Sequence, residues 1–141
     1  MPIPFTRRWY EARAYRDILW KAVFTFDAQY KLVVLSKRSI ATKDGINIRA
    51  LGYLNGFIKS ALDRRQLDIR SDEAYAVFEA LYQTLWGKKV GRIYFEYFID
   101  AMNGEIAVDK DELREGIELG TLDFLRSAQT GMQPTGWFSC F

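Results

Sequence analysis

The sequence predicts a mainly α fold, α+β in the loose sense: a single compact domain of four to five helices, with one short β-hairpin near residues 22–35. Three observations carry that prediction. Apolar residues recur every three to four positions over several stretches, the mark of helices with one buried face. Ser71, Gly87, Asp109 and Gly131 stand where helices would be capped or stopped. At 141 residues, 49% apolar and 27% charged, the chain suits one ordinary core, without repeats, linkers or low-complexity tracts.

Taken in order, residues 6–23 read as a helix. Thr6 can cap it, and Phe5, Trp9, Ala12, Leu19 and Val23 fall near one stripe that Arg16 interrupts. Arg7 with Glu11 and Arg13 with Asp17 are i,i+4 pairs. In "AVFTFDAQYKLVVL", Ala22, Phe24, Phe26, Ala28, Tyr30, Leu32 and Val34 alternate with mostly polar residues, a strand signal. Such a run is long for one strand, so a hairpin turning near Asp27-Ala28-Gln29 is expected. Leu19, Val23, Phe26, Tyr30 and Val33 also fit a helical stripe, which keeps a helix as the alternative.

Residues 46–65 form a firmer helix, with Ala50, Leu51, Leu54, Phe57, Ile58, Ala61 and Leu62 on its buried face. Gly52, Gly56 and Ser60 sit inside it, spaced by four. An interior glycine costs about 1 kcal/mol against alanine, so a close contact should compensate. Ser71 caps the next helix, whose stripe is Tyr75, Phe78, Leu81, Tyr82 and Leu85, and Gly87 ends it. Residues 90–102 follow as a helix, in preference to a hairpin turning at Asn103-Gly104. Asp109 with Glu112 then starts a helix over 110–129, with Leu113, Ile117, Phe124 and Ala128 facing inward. Gly116 and Gly120 repeat the four-residue spacing. The shared spacing leaves two readings open: helices 46–65 and 110–129 cross at their glycine faces, an arrangement best attested in lipid, or Gly120 simply breaks the last helix.

Composition removes whole classes of chemistry. The chain has no histidine and one cysteine, so Ser-His-Asp and Cys-His pairs, histidine bases and the common zinc sites are excluded. No catalytic residue, cofactor or metal site is assigned. The longest aliphatic run, Leu32 to Leu35, is far too short to span a membrane. No hydrophobic region follows Arg7-Arg8 as a leader would require, and an internal disulfide needs two cysteines, so a cytoplasmic setting is expected.

Charge is divided unevenly. Residues 1–70 hold 14 Lys/Arg against 6 Asp/Glu, and residues 71–141 hold 6 against 12. Such a split points to an acidic or nucleic-acid partner, or to faces that meet within the fold or between subunits. Arg8, Arg13, Arg16, Arg64 and Arg65, interleaved with aromatics, are the candidate contacts, together with Lys88 and Lys89 of "WGKKVGR", although a solvated basic face with local ion pairs and a plain basic interhelix turn are the simpler roles. That last stretch lacks P-loop spacing. "DKDELREGIE" offers Asp111, Glu115 and Glu118 on one face, where dipole compensation and an Arg114–Glu118 pair are the simpler roles. "DAMNGEIAVDKDE" fails as a calcium loop, because Lys110 stands where the bidentate carboxylate belongs.

Beyond a domain over 1–131, residues 132–141 form a hydrophobic tail. Cys140 is at the wrong position for prenylation. Trp137, Phe138 and Phe141 either strap down onto the core or hook a partner or sister subunit. The functional expectation is a non-catalytic cytoplasmic protein-interaction module. A small inhibitor, immunity or adaptor protein of bacterial, phage or plasmid origin is the type, acting by occupying a protein partner, with a homodimer as one form. The alternative is a nucleic-acid-associated protein using the basic N-terminal half.

Overall fold

The longest element is the one whose sequence misleads. The computed structural model describes the backbone of residues 4–43 and 45–141, with side chains from residue 7 onward. In it α1 runs unbroken from Pro4 to Leu35, 32 residues and about 48 Å. The hairpin expected over 22–35 is therefore helix. Ala22, Phe26, Gln29 and Val33 turn inward in line with Ala14, Tyr15 and Ile18, while Phe24, Leu32 and Val34 face water. A helix with apolar residues on both sides satisfies period two and period 3.6 together, and here the second governs. The buried line also replaces the expected one, since Trp9 and Ala12 are exposed. Phe5 and Thr6 lie outside the described side chains.

The short hairpin sits just after α1 instead. β1 (Ala41–Thr42) pairs antiparallel with β2 (Gly45–Ile46), with Ala41 opposite Ile46. Four helices follow: α2 (Ile48–Arg64), α3 (Asp72–Trp86), α4 (Lys88–Met102) and α5 (Lys110–Thr130). Their ends are set by the residues that chemistry favours there. Asn47, Ser71 and Asp109 each accept from a backbone N–H in the first turn, and Gly131 ends α5 in the left-handed conformation. The stretch before Asn103-Gly104 is helix, as expected. Together these make one compact, mainly α domain with a single small sheet among the described residues.

Ring contacts and hydrogen bonds fix the helix directions. Phe26 meets Phe57, and Asp17 meets Arg65, so α2 runs back along α1. The Tyr15 and Ser71 hydroxyls lie 3.0 Å apart, and Tyr30 meets Trp86, so α3 returns alongside α1. α4 folds back on α3, with Trp86 against Tyr94. α2 is buried on nearly every side through Leu62, more than a single stripe would predict, because α1, α4, α5 and the C-terminal segment all reach it.

The most extensive contact joins α2 to α5, and it is the glycine crossing. A Cβ on Gly52 would stand 2.8 Å from the Leu113 carbonyl oxygen. Cβ atoms on Gly56, Gly116 and Gly120 would collide with the carbonyls of Ile117, Arg49 and Tyr53 respectively. The partners advance together along both helices, so α2 and α5 run in the same direction. Their backbones touch, which only residues without side chains allow. Gly116 and Gly120 are the buried residues of α5, while Leu113, Ile117 and Phe124 are half-buried around them.

The C-terminal segment closes the other side of α2. Trp137 is wholly buried, and its indole N–H donates to the Ala50 carbonyl at 3.0 Å. Gln29 clamps the segment twice: its amide donates to the Pro134 carbonyl at 2.8 Å, and its side-chain oxygen accepts from the Phe138 N–H at 3.1 Å. The Asn47 amide donates to the Cys140 carbonyl at 2.9 Å. A short 3₁₀ turn over Phe138–Cys140 completes it.

Candidate functional site

A groove of about 630 Å³ opens between the middle of α1, the end of α2 and the end of α5. Its floor is built from packed apolar side chains: Ile18 of α1, Phe57 and Ala61 of α2, and Phe124 of α5. Its lips are unusual for a surface. Trp20 is 64% exposed, Phe24 71% and Met132 73%. Trp20 and Phe24 are one helical turn apart on α1, and Met132 faces them from the segment after α5. Thr25 donates a hydrogen bond to the Gln133 side chain at 3.2 Å, tying the two walls together.

The rim is cationic. Lys21, Arg64 and Arg65 line the groove, and no Asp or Glu does. Arg65 is held by Asp17 at 3.7 Å. The expected Arg13–Asp17 pair is absent because Asp17 is turned to Arg65, and Arg13 instead stacks over the Trp9 ring at 5.3 Å. Arg7 does pair with Glu11, at 3.1 Å.

The basic candidates separate in space. Arg64 and Arg65 come to the groove, close to Asp17 and Lys21 of α1. Arg8, Arg13 and Arg16 are exposed on the N-terminal half of α1. Lys88 and Lys89 open α4 beside Trp86, which meets Tyr30, so they lie roughly 20 Å along α1 from Asp17. The seven basic candidates do not form one track. On α5, Asp111 pairs with Arg114 and Glu115 with Arg49, so Arg114 does not take the expected Glu118.

The tail candidates are placed differently from one another. Trp137 is enclosed by Phe26, Tyr30, Trp86 and Phe141 and presents no surface. Phe138 and Phe141 are half-buried, and the Arg38 guanidinium covers the Phe138 ring at 5.1 Å. Burial pushes the Cys140 thiol up to about 11, against the pull of the nearby Arg49 charge. The buried thiol therefore stays protonated at neutral pH. Burial and the hydrogen bond to Asp123 raise the Tyr53 hydroxyl, and burial raises that of Tyr82, which bonds to Asn55 deep in the core.

Phe24 and Met132 were missed as site residues from sequence, and Trp20 and Lys21 counted there only as part of the basic, aromatic-interleaved first half. The signal was present in the surplus of apolar residues over 20–35, more than one helix face can bury. A second, smaller cavity of about 360 Å³ lies between α2, α3, α4 and α5, walled by Phe78, Phe95, Phe98 and Ile117. No described helix is long and apolar enough to cross a membrane. Set against protein-family models, characterised proteins and solved structures, the chain matches none of them. Its class is thus defined by geometry: a small helical domain, closed at its core, with an aromatic and basic groove along its first helix.

Proposed function

We propose that this protein is a non-catalytic interaction module that acts by occupying a protein partner through the groove beside α1. It is of the small inhibitor, immunity or adaptor kind, and its shielded single thiol suits a cytoplasmic setting. The observation that carries this reading is the exposed trio Trp20, Phe24 and Met132 around an apolar floor. Scattered surface apolar residues are ordinary, whereas a contiguous patch rimmed by polar groups marks an interaction surface. Aromatic, Met and Arg side chains are also the types that interface centres enrich.

The alternative, nucleic-acid association, draws on the exposure of Arg8, Arg13, Arg16 and Arg64. It predicts affinity that falls steeply with salt. The test of the leading reading is a photo-crosslinking residue at position 132, compared with one at the exposed Ile93 of α4, in cells of the native host. A discrete protein adduct from position 132 alone, lost when Trp20→Glu is added, is expected. Equal adducts from position 93, or none from 132, would sink the reading.

A further inference from the structure

We infer that the groove beside α1 receives an acidic amphipathic helix of the partner. This rests on the interaction reading above and adds the chemistry of what binds. Three features of the groove select that occupant.

The first is charge that the fold leaves unmatched. Six ion pairs form among the described residues, and one of them, Arg49–Glu115, joins the basic first half to the acidic second. Direct ion pairs therefore match little of the basic excess to the acidic half of the same molecule. At the groove, neither Lys21 nor Arg64 has a carboxylate within ion-pair distance among the described residues. Carboxylates from outside would complement them, improving both encounter and register.

The second is the nature of the walls. α1, α2 and α5 use their backbone N–H and C=O groups in their own helices, so no sheet edge is on offer and a strand cannot be added. Only the short stretch Gly131–Pro134 lines the groove outside a helix, so recognition falls mainly to side chains on an apolar floor, which is the helix-in-groove mode. The third is spacing. Trp20 and Phe24 stand one turn apart, and the groove follows α1 from Ile18 to Thr25, about 10 Å. That length accepts two turns of helix, whose anchors recur at i, i+3 or i+4, and i+7.

The probe is a synthetic amphipathic peptide of about five turns, with Leu and Phe anchors flanked by Glu, and a counterpart with every Glu replaced by Lys. Fluorescence anisotropy against the full chain is the readout. The acidic peptide should bind at least tenfold more tightly than the basic one. Lys21→Glu with Arg64→Glu should abolish that preference, whereas Lys88→Glu with Lys89→Glu should change affinity less than twofold; circular dichroism checks that both variants fold. Failure to bind the acidic peptide, equal affinity for both peptides, or equal loss in the two variants overturns the inference. So does tighter binding of single-stranded DNA or of phosphatidylserine vesicles at the same residues, or a dimer of this chain that the Lys21/Arg64 variant dissociates. A crosslinked host partner at position 132 without peptide binding removes this inference and leaves the interaction reading standing. Peptide binding without a crosslinked partner supports the groove chemistry and removes the interaction reading.

Discussion

Two surfaces of this molecule treat size in opposite ways. Where α2 crosses α5, glycines bring the backbones into contact and there is no room for a methyl group. Along the outer side of α1, two of the bulkiest side chains in the chain, Trp20 and Phe24, extend into water. A helix usually places its large apolar residues inward and tolerates small ones anywhere. The inversion separates what the domain needs in order to fold from what it carries for something else. The crossing serves the fold, and the outer face of α1 is the part that folding does not explain.

The largest effect should come from putting a side chain into the crossing. Alanine normally improves an interior helical glycine by about 1 kcal/mol. At Gly56 the sign should reverse, because the new Cβ meets the Ile117 carbonyl and a backbone cannot move aside as a flexible side chain can. Gly56→Ala should lose about 2–3 kcal/mol in urea denaturation, and Gly56→Leu should lose about 5 kcal/mol or fail to melt cooperatively. A stabilised Gly56→Ala would mean that the two helices do not touch there.

Next in size is the tail. Trp137→Ala should cost about 3–5 kcal/mol, since it empties a fully enclosed aromatic site and removes the indole's hydrogen bond to the Ala50 carbonyl. A chain ending at Gly131 should lose at least as much. If truncation left the melting temperature unchanged, the strap would contribute nothing to the fold.

How far the sequence foretold these features depends on where the information lies. The glycine crossing was legible only as one of two readings: Gly52, Gly56, Gly116 and Gly120 are expensive in helices and share one spacing, but a helix broken at Gly120 fitted the same residues. Ser71, Asp109 and Gly131 were legible because capping is local chemistry. The run from Ala22 to Val34 was not, since its alternation came from residues such as Phe24 and Leu32 that never enter the core. Of the candidate contacts, Arg64 and Arg65 reach the groove, but Lys88 and Lys89 lie elsewhere. Only the path of the chain reveals that, because net charge along a sequence carries no direction in space. Trp137 could be read as strap or hook, and Gln29, which clamps its segment from more than a hundred residues away, gave no local sign of doing so.

A middling effect should appear at high pH. Burial raises the Cys140 thiol to about 11 and also raises Tyr53 and Tyr82 above their ordinary value. The unfolded chain releases these protons first as pH rises, so it binds fewer protons than the native state, and stability falls with pH. The Cys140 share is fully present below about pH 9 and is lost by about pH 11, roughly 2–3 kcal/mol at most. Melting temperature should therefore drop through that window, and Cys140→Ala should flatten the part of the drop due to the thiol. A melting temperature constant from pH 8 to 11 would contradict the burial of all three groups.

The smallest stability change should fall on the outer face of α1, and that is where the comparison is sharpest. Trp20→Ser and Phe24→Ser remove large side chains that make little use of the core, so each should shift stability by no more than about 0.5 kcal/mol. The same class of change at Phe26, two residues away and fully buried, should cost about 3–5 kcal/mol. If Phe24→Ser instead matched Phe26 in its cost, the outer aromatics would be part of the fold and the surplus along α1 would need no partner. A negligible cost leaves Trp20 and Phe24 without a folding role. Largely exposed aromatic rings with no folding role have their explanation in what covers them.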